Sequence, residues 1–111
     1  TEDARGPMYS TEYGNPRESK EMFEYILSYS PYHNVKQTSY PSVYIQTGEC
    51  DNNVPPYHGK KFAARMQEYN QSKNPVLLRV LAKGSHDRGS GEAYWQTIAE
   101  AQLFVKKALG L

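Results

Sequence analysis

The spacing of apolar positions changes several times along this chain, and each change marks an element. In Glu18–Tyr29 (ESKEMFEYILSY) Met22, Phe23, Ile26, Leu27 and Tyr29 recur at helical intervals. Pro31 ends that run, because the residue before a proline is pushed out of the α region. Val43, Tyr44 and Ile45, within Ser42–Thr47, are β-branched or aromatic and suit a buried strand. Gly48 breaks the run, and Glu49, Cys50, Asp51, Asn52 and Asn53 follow as a polar loop. Pro55 and Pro56 have fixed φ and no N–H, so they fit the start of a helix. Tyr57–Asn70 continues that helix, with Phe62, Ala63, Met66 and Tyr69 on one face and Lys60, Lys61, Arg65 and Glu68 mostly on the other. After a turn at Gln71–Pro75, the run Val76–Leu81 (VLLRVL) is almost continuously apolar and short enough for a buried strand. Lys83–Gly91 is a Gly/Ser-rich loop holding His86. Glu92–Leu109 is a long helix, with Trp95, Ile98, Gln102 and Val105 along one stripe and Leu109 below them. Gly110 stands where helices commonly stop. Thr1–Arg17 carries Gly6, Pro7, Gly14 and Pro16 without periodicity and reads as an extended connection, and Pro31–Ser39 as a polar linker.

The order helix, strand, helix, strand, helix predicts the α/β class: two parallel strands with flanking helices. Two strands make a poor sheet by themselves. The exposed sheet edge therefore calls for a partner, either a second copy of the chain or the rest of a larger α/β domain. The length of 111 residues fits one domain with a modest core, so residues 1–111 are read as one unit with no second domain.

Composition narrows the function classes. Net charge is +1 and the basic residues are interleaved with Asp and Glu, so nothing here resembles a nucleic-acid binder. No apolar run approaches a membrane span, and the start TEDARGPMYS has neither the charged nor the apolar region of a signal peptide. The single cysteine excludes an intramolecular disulfide and suits a reducing, cytoplasmic setting, although a signal could lie upstream. Mean hydropathy is −0.81, low for a compact domain, and ten tyrosines supply much of the apolar area; such a chain reads as a piece of something larger. No Cys/His/carboxylate spacing fits a metal site, and no cofactor motif is present.

The candidate chemistry lies in two loops. Asp51 and His86 each follow a buried strand, where open α/β folds place working residues. A carboxylate beside a histidine ring fixes its tautomer and stabilises the imidazolium formed when a nucleophile gives up its proton. In α/β-hydrolases the chain order is nucleophile, acid, histidine, and Asp51 before His86 matches the last two steps. The bland alternative is a helix cap for Asp51 and a solvated loop for His86. No G-x-S-x-G elbow occurs; Ser85 and Ser90 flank His86 but sit on no strand-to-helix elbow. Cys50 adjoins Asp51, whose charge works against a thiolate. His33 and His58 read as packing or capping residues. Asn53 could donate to a substrate carbonyl or, as turn asparagines commonly do, satisfy its own backbone.

The ordered set SPYHNV, YPSV, TGECDNNVPPYHGKKFA and NPVLLRV resembles the C-terminal end of the prolyl oligopeptidase family of serine peptidases, from about Tyr13 onward. The resemblance implies an α/β-hydrolase catalytic domain, paired in the family with a β-propeller. It implies that Asp51 and His86 are the triad acid and base, with the serine upstream, so that this chain alone would be inactive. It also implies short peptide substrates, cut typically after proline through a serine ester. An arginine usually stands two residues after the triad aspartate, where it helps hold the substrate carbonyl. Asn53 stands there in this chain, which leaves open an esterase or basic-residue oligopeptidase. Asp87 follows His86 where the family has glycine. A non-catalytic remnant acting in binding or assembly is the alternative from another class.

Overall fold

The computed structural model describes residues 6–86 and 91–111. Asp87 and Ser90, singled out above, lie outside the described residues. The chain divides into two compact units, Thr1–Val35 and Lys36–Leu111.

The first unit holds two helices, α1 (Gly6–Tyr13) and α2 (Lys20–Tyr29). The first corrects the extended connection expected over Thr1–Arg17. Its breakers stand at the ends of the helix and not inside it. Gly6 and Pro7 open it, where a proline's missing N–H costs nothing. Gly14 closes it with φ +84°, its N–H donating to the Ser10 carbonyl (3.0 Å). Ser19 caps α2 by accepting the Met22 amide at 3.0 Å. At the other end the Asn34 side chain donates to the Leu27 (2.9 Å) and Ser30 (2.8 Å) carbonyls, which closes the helix at Pro31.

The second unit carries the sheet. Strands β1 (Val43–Gly48) and β2 (Val76–Leu81) pair in parallel, Val43 opposite Val76 and Gly48 opposite Leu81. A parallel pair needs a crossover, and helix α3 (Tyr57–Tyr69) supplies it. Side chains alternate between sheet faces along a strand. Gly59 of α3 lies against Ile45 and Thr47, and Ala63 and Met66 on the same helix are buried. Gln67 ties α3 to β2 through the Val76 carbonyl at 2.9 Å.

Helix α4 (Gly91–Ala108) meets the opposite face. The Phe104 ring lies 5.4 Å from the Tyr44 ring, and Glu100 pairs with Arg79 of β2. Burial pushes the Tyr44 hydroxyl above its ordinary value, Glu100 adds to the shift and Arg79 opposes it. The stripe read along α4 is not the face turned inward. Trp95 is 67% exposed and Val105 53%, whereas Thr97 is buried and Tyr94, Ile98, Ala101 and Phe104 are half-buried. The inward face combines the aromatic Tyr94 and Phe104 with the small Thr97 and Ala101, the Thr97 hydroxyl donating to the Ala93 carbonyl at 2.8 Å. The observed order is thus the expected α-β-α-β-α with one helix added in front.

Candidate active site

The loops leaving β1 and β2 are stitched together by their backbones. Past the paired ends Gly48 and Leu81, the Glu49 amide donates to the Leu81 carbonyl at 3.0 Å and the Cys50 amide to the Gly84 carbonyl at 2.8 Å. The Gly84 amide turns back to Leu81 at 2.9 Å. Parallel strands end side by side, so their two loops emerge on the same edge of the sheet. Asp51 is one residue beyond the stitch on the first loop, and His86 two residues beyond it on the second.

Their side chains meet there. Asp51 Oδ2 and His86 Nδ1 are 2.9 Å apart. The other carboxylate oxygen, Oδ1, accepts the Asn53 and Val54 amides, each at 2.8 Å. One oxygen therefore holds the carboxylate to its own loop while the other faces the ring. With Nδ1–H donating to Asp51, the free lone pair of the neutral ring is at Nε2. The Asp51 side chain is 9% exposed and the His86 side chain 52%. Partial burial works to raise the Asp51 carboxyl. Hydrogen bonds from the Val54 amide, the His86 ring and the Asn53 amide, with the charge the ring can carry, outweigh it and hold the carboxyl below the usual range.

A cleft of about 280 Å³ opens beside the pair, lined by Gln46, Thr47, Val54, Leu81 and Ser85 among others. Its walls mix apolar and polar groups, and the half-exposed ring borders it. Such a site can accept a proton at Nε2 and hold the resulting imidazolium against a carboxylate.

The other candidates bring no side chain to the pair. Asn53 contributes its backbone amide to Asp51 and its side chain does not line the cleft. Cys50 is exposed, and its amide rather than its thiol serves the site. The His58 ring stacks on Tyr57 (4.4 Å), and His33 Nδ1 lies 2.8 Å from Ser30 Oγ in the first unit. Among the described residues no three His, Cys, Asp or Glu side chains gather as a metal ion would need. None of the described helices is long and apolar enough to cross a membrane. Gly48 and Gly84 were read from the sequence only as a strand break and part of a loop. Gly48 ends β1 and Gly84 lies three residues past β2, and neither position by itself signals their contact.

Two parallel strands with helices on both faces, and an acid and a histidine on consecutive strand-end loops, define an α/β-hydrolase-type arrangement. A profile of the Prolyl oligopeptidase family matches residues 3–111, and the chain belongs to that family. It is 43% identical over 105 residues to the prolyl endopeptidase of Elizabethkingia meningoseptica, an alignment covering 94% of this chain and 15% of that protein. Among solved structures, it is similar to oligopeptidase B from Leishmania major (33% identity, TM-score 0.82, 92% of this chain and 14% of that one). It is also similar to prolyl oligopeptidase B from Galerina marginata bound to a 35mer hydrolysis and macrocyclization substrate (32% identity, TM-score 0.84, 95% of this chain and 15% of that one). The chain thus spans 15% of the length of the curated prolyl endopeptidases that it matches.

Proposed function

We propose that residues 1–111 form the C-terminal portion of a serine peptidase catalytic domain, in which Asp51 and His86 are the acid and base of the triad. The 2.9 Å hydrogen bond between Asp51 Oδ2 and His86 Nδ1 carries this reading, because it leaves Nε2 as the proton acceptor. A serine supplied by chain outside these residues attacks the peptide carbonyl as Nε2 takes its proton. Asp51 stabilises the imidazolium. The ring then returns the proton to the leaving amine, leaving an acyl ester that water hydrolyses by the same steps. The absence of a G-x-S-x-G elbow from the sequence supports the view that the isolated chain is inactive.

Short peptides are the proposed substrates. The prolyl endopeptidase relative supports cleavage after proline, and Asn53, where family members usually carry arginine, supports a wider or shifted preference. A cytoplasmic location, suited to the free thiol of Cys50, belongs to the same proposal. So does self-association of the isolated chain through the outer edges of β1 and β2, which sedimentation would detect.

The test is a chimera. The corresponding segment of the Elizabethkingia meningoseptica enzyme is replaced by these 111 residues, and hydrolysis is assayed on a panel of proline-linked, basic and ester substrates. The chimera should turn over at least one of them and lose that activity on His86→Ala, by on the order of 10⁶-fold if the ring is the base. An active chimera indifferent to His86→Ala, or turnover by the 111-residue chain alone, would contradict the proposal.

A further inference from the structure

We propose that Gly48 and Gly84 are positioning residues, whose backbones lie so close that the main chain itself sets the distance between Asp51 and His86. The proposal rests on the catalytic reading of that pair and adds what holds it in place.

Neither glycine has a positive φ, so conformational freedom does not explain them. Closeness does. A β-carbon on Gly48 would collide with the Ser85 carbonyl oxygen, and would lie 2.5 Å from the Gly84 oxygen and 2.8 Å from the Gly84 carbonyl carbon. A β-carbon on Gly84 would lie 2.7 Å from Leu81 Cβ, 3.0 Å from the Leu81 oxygen and 3.4 Å from Gly48 Cα. The atoms met at Gly48 are all backbone, so no rotamer change relieves the overlap. At Gly48, therefore, the loops must separate; at Gly84 the overlap is with Leu81 of its own turn, Gly48 Cα lying at ordinary contact distance, and it is the turn carrying the Gly84 carbonyl that must shift.

Either movement acts directly on the pair. The Cys50-to-Gly84 hydrogen bond lies one residue from Asp51 and two from His86, so little chain remains to absorb a displacement. Asp51 cannot follow the ring without giving up the Asn53 and Val54 amides. A shift of about 1 Å takes a 2.9 Å contact out of hydrogen-bonding range and, at a catalytic group, costs roughly 10²-fold in rate.

The experiment reads the tautomer of the neutral His86 ring in the 111-residue chain by ¹⁵N NMR. The Nδ1–H form should dominate in the wild type and be lost in Asp51→Asn. Gly48→Ala and Gly84→Ala should lose it too, while the amides of β1 and β2 stay protected from exchange. Met66→Ala is the control for general destabilisation: it removes a buried side chain of α3 that does not line the cleft, and the Nδ1–H form should survive. In the active chimera the two loop variants should lower kcat about 10²-fold with KM little changed. Should they fail to fold, replacing the Cys50 amide by an ester removes the Cys50–Gly84 bond without adding an atom and should also lose the signature. Retention of the wild-type tautomer in folded Gly48→Ala and Gly84→Ala, or in the ester, overturns the proposal and leaves the dyad standing. A wild type without the Nδ1–H form overturns the dyad reading, and this proposal with it.

Discussion

Asp51 and His86 are thirty-five residues apart in sequence and joined at 2.9 Å in space, but the carboxylate is held from behind before it meets the ring. The Asn53 and Val54 amides take one oxygen, so the orientation of the other is fixed by the loop of Asp51 itself. The helix cap posed for Asp51 from the sequence does not form, since α3 is capped at Pro56 without a side-chain bond; Oδ1 takes two amides of its own loop while Oδ2 faces the ring.

That division separates two substitutions. Asp51→Asn keeps an oxygen for the two amides and removes the charge facing the ring; Asp51→Ala removes both. In the chimera each should lower activity by about 10⁴-fold, the cost of the wrong tautomer in a serine triad. In urea unfolding of the 111-residue chain, Ala should be less stable than Asn, because the Asn53 and Val54 amides lose their side-chain acceptor. Equal stabilities would refute the pinning role of Oδ1.

Acid should reveal the same carboxylate. Its folded pKa is depressed, so ionised Asp51 stabilises the fold at pH values above the ordinary aspartate value of about 3.9, and this contribution is lost as pH falls through the lower folded value. Stability measured by circular dichroism from neutral pH down to about pH 2 should fall less steeply below about pH 4 in Asp51→Asn than in the wild type. At neutral pH Asp51 is ionised, so the acid limb of a pH–rate profile in the chimera should not follow its titration. An acid denaturation curve unchanged by Asp51→Asn would contradict the assignment.

Both strands, α3 and the Asp51 and His86 loops were legible because their signals are local. A six-residue run apolar at all but one position, a double proline and a one-sided helix face each specify an element without help from distant chain. Helix α1 was not legible, since Gly6, Pro7 and Gly14 mark a helix's ends as readily as its absence, and its sequence shows no apolar stripe. The inward face of α4 was missed for a different reason. Periodicity locates a stripe but does not say what it faces, and Trp95 and Val105 outweigh Thr97 and Ala101 in apolar size. The Gly48–Gly84 contact was missed because it is a distance between two backbones, and no property of either residue announces it.

Arg79 and Glu100 join β2 to α4 through two hydrogen bonds, 2.8 and 3.3 Å long. Both side chains are more than 30% exposed (40% and 33%), which decides the magnitude. Solvent screens such a pair, and its two-point geometry places the coupling near the upper end for exposed pairs, about 1 kcal/mol. A double-mutant cycle with Arg79→Ala and Glu100→Ala should return that value at low salt and a smaller one in 1 M NaCl. A coupling above about 3 kcal/mol would mean that the pair is desolvated in solution, contrary to this structure.

Lys83 is the only non-glycine with a positive φ, 57°, among the described residues. It occupies the third position of the turn from Leu81 to Gly84, closed by the Gly84 amide on the Leu81 carbonyl at 2.9 Å. A positive φ there is the demand of a type II turn, which usually takes glycine or asparagine. The left-handed region costs an L-residue about 1–2 kcal/mol, and glycine gives back about 0.5–1 kcal/mol through its freer unfolded chain. Lys83→Gly should therefore stabilise the chain by up to about 1 kcal/mol, and Lys83→Val, β-branched, should destabilise it by more than that. Urea midpoints of the two variants read the sign directly. If the turn is built as described, they move in opposite directions; a glycine variant that unfolds earlier than the wild type would show that Lys83 is unstrained in solution.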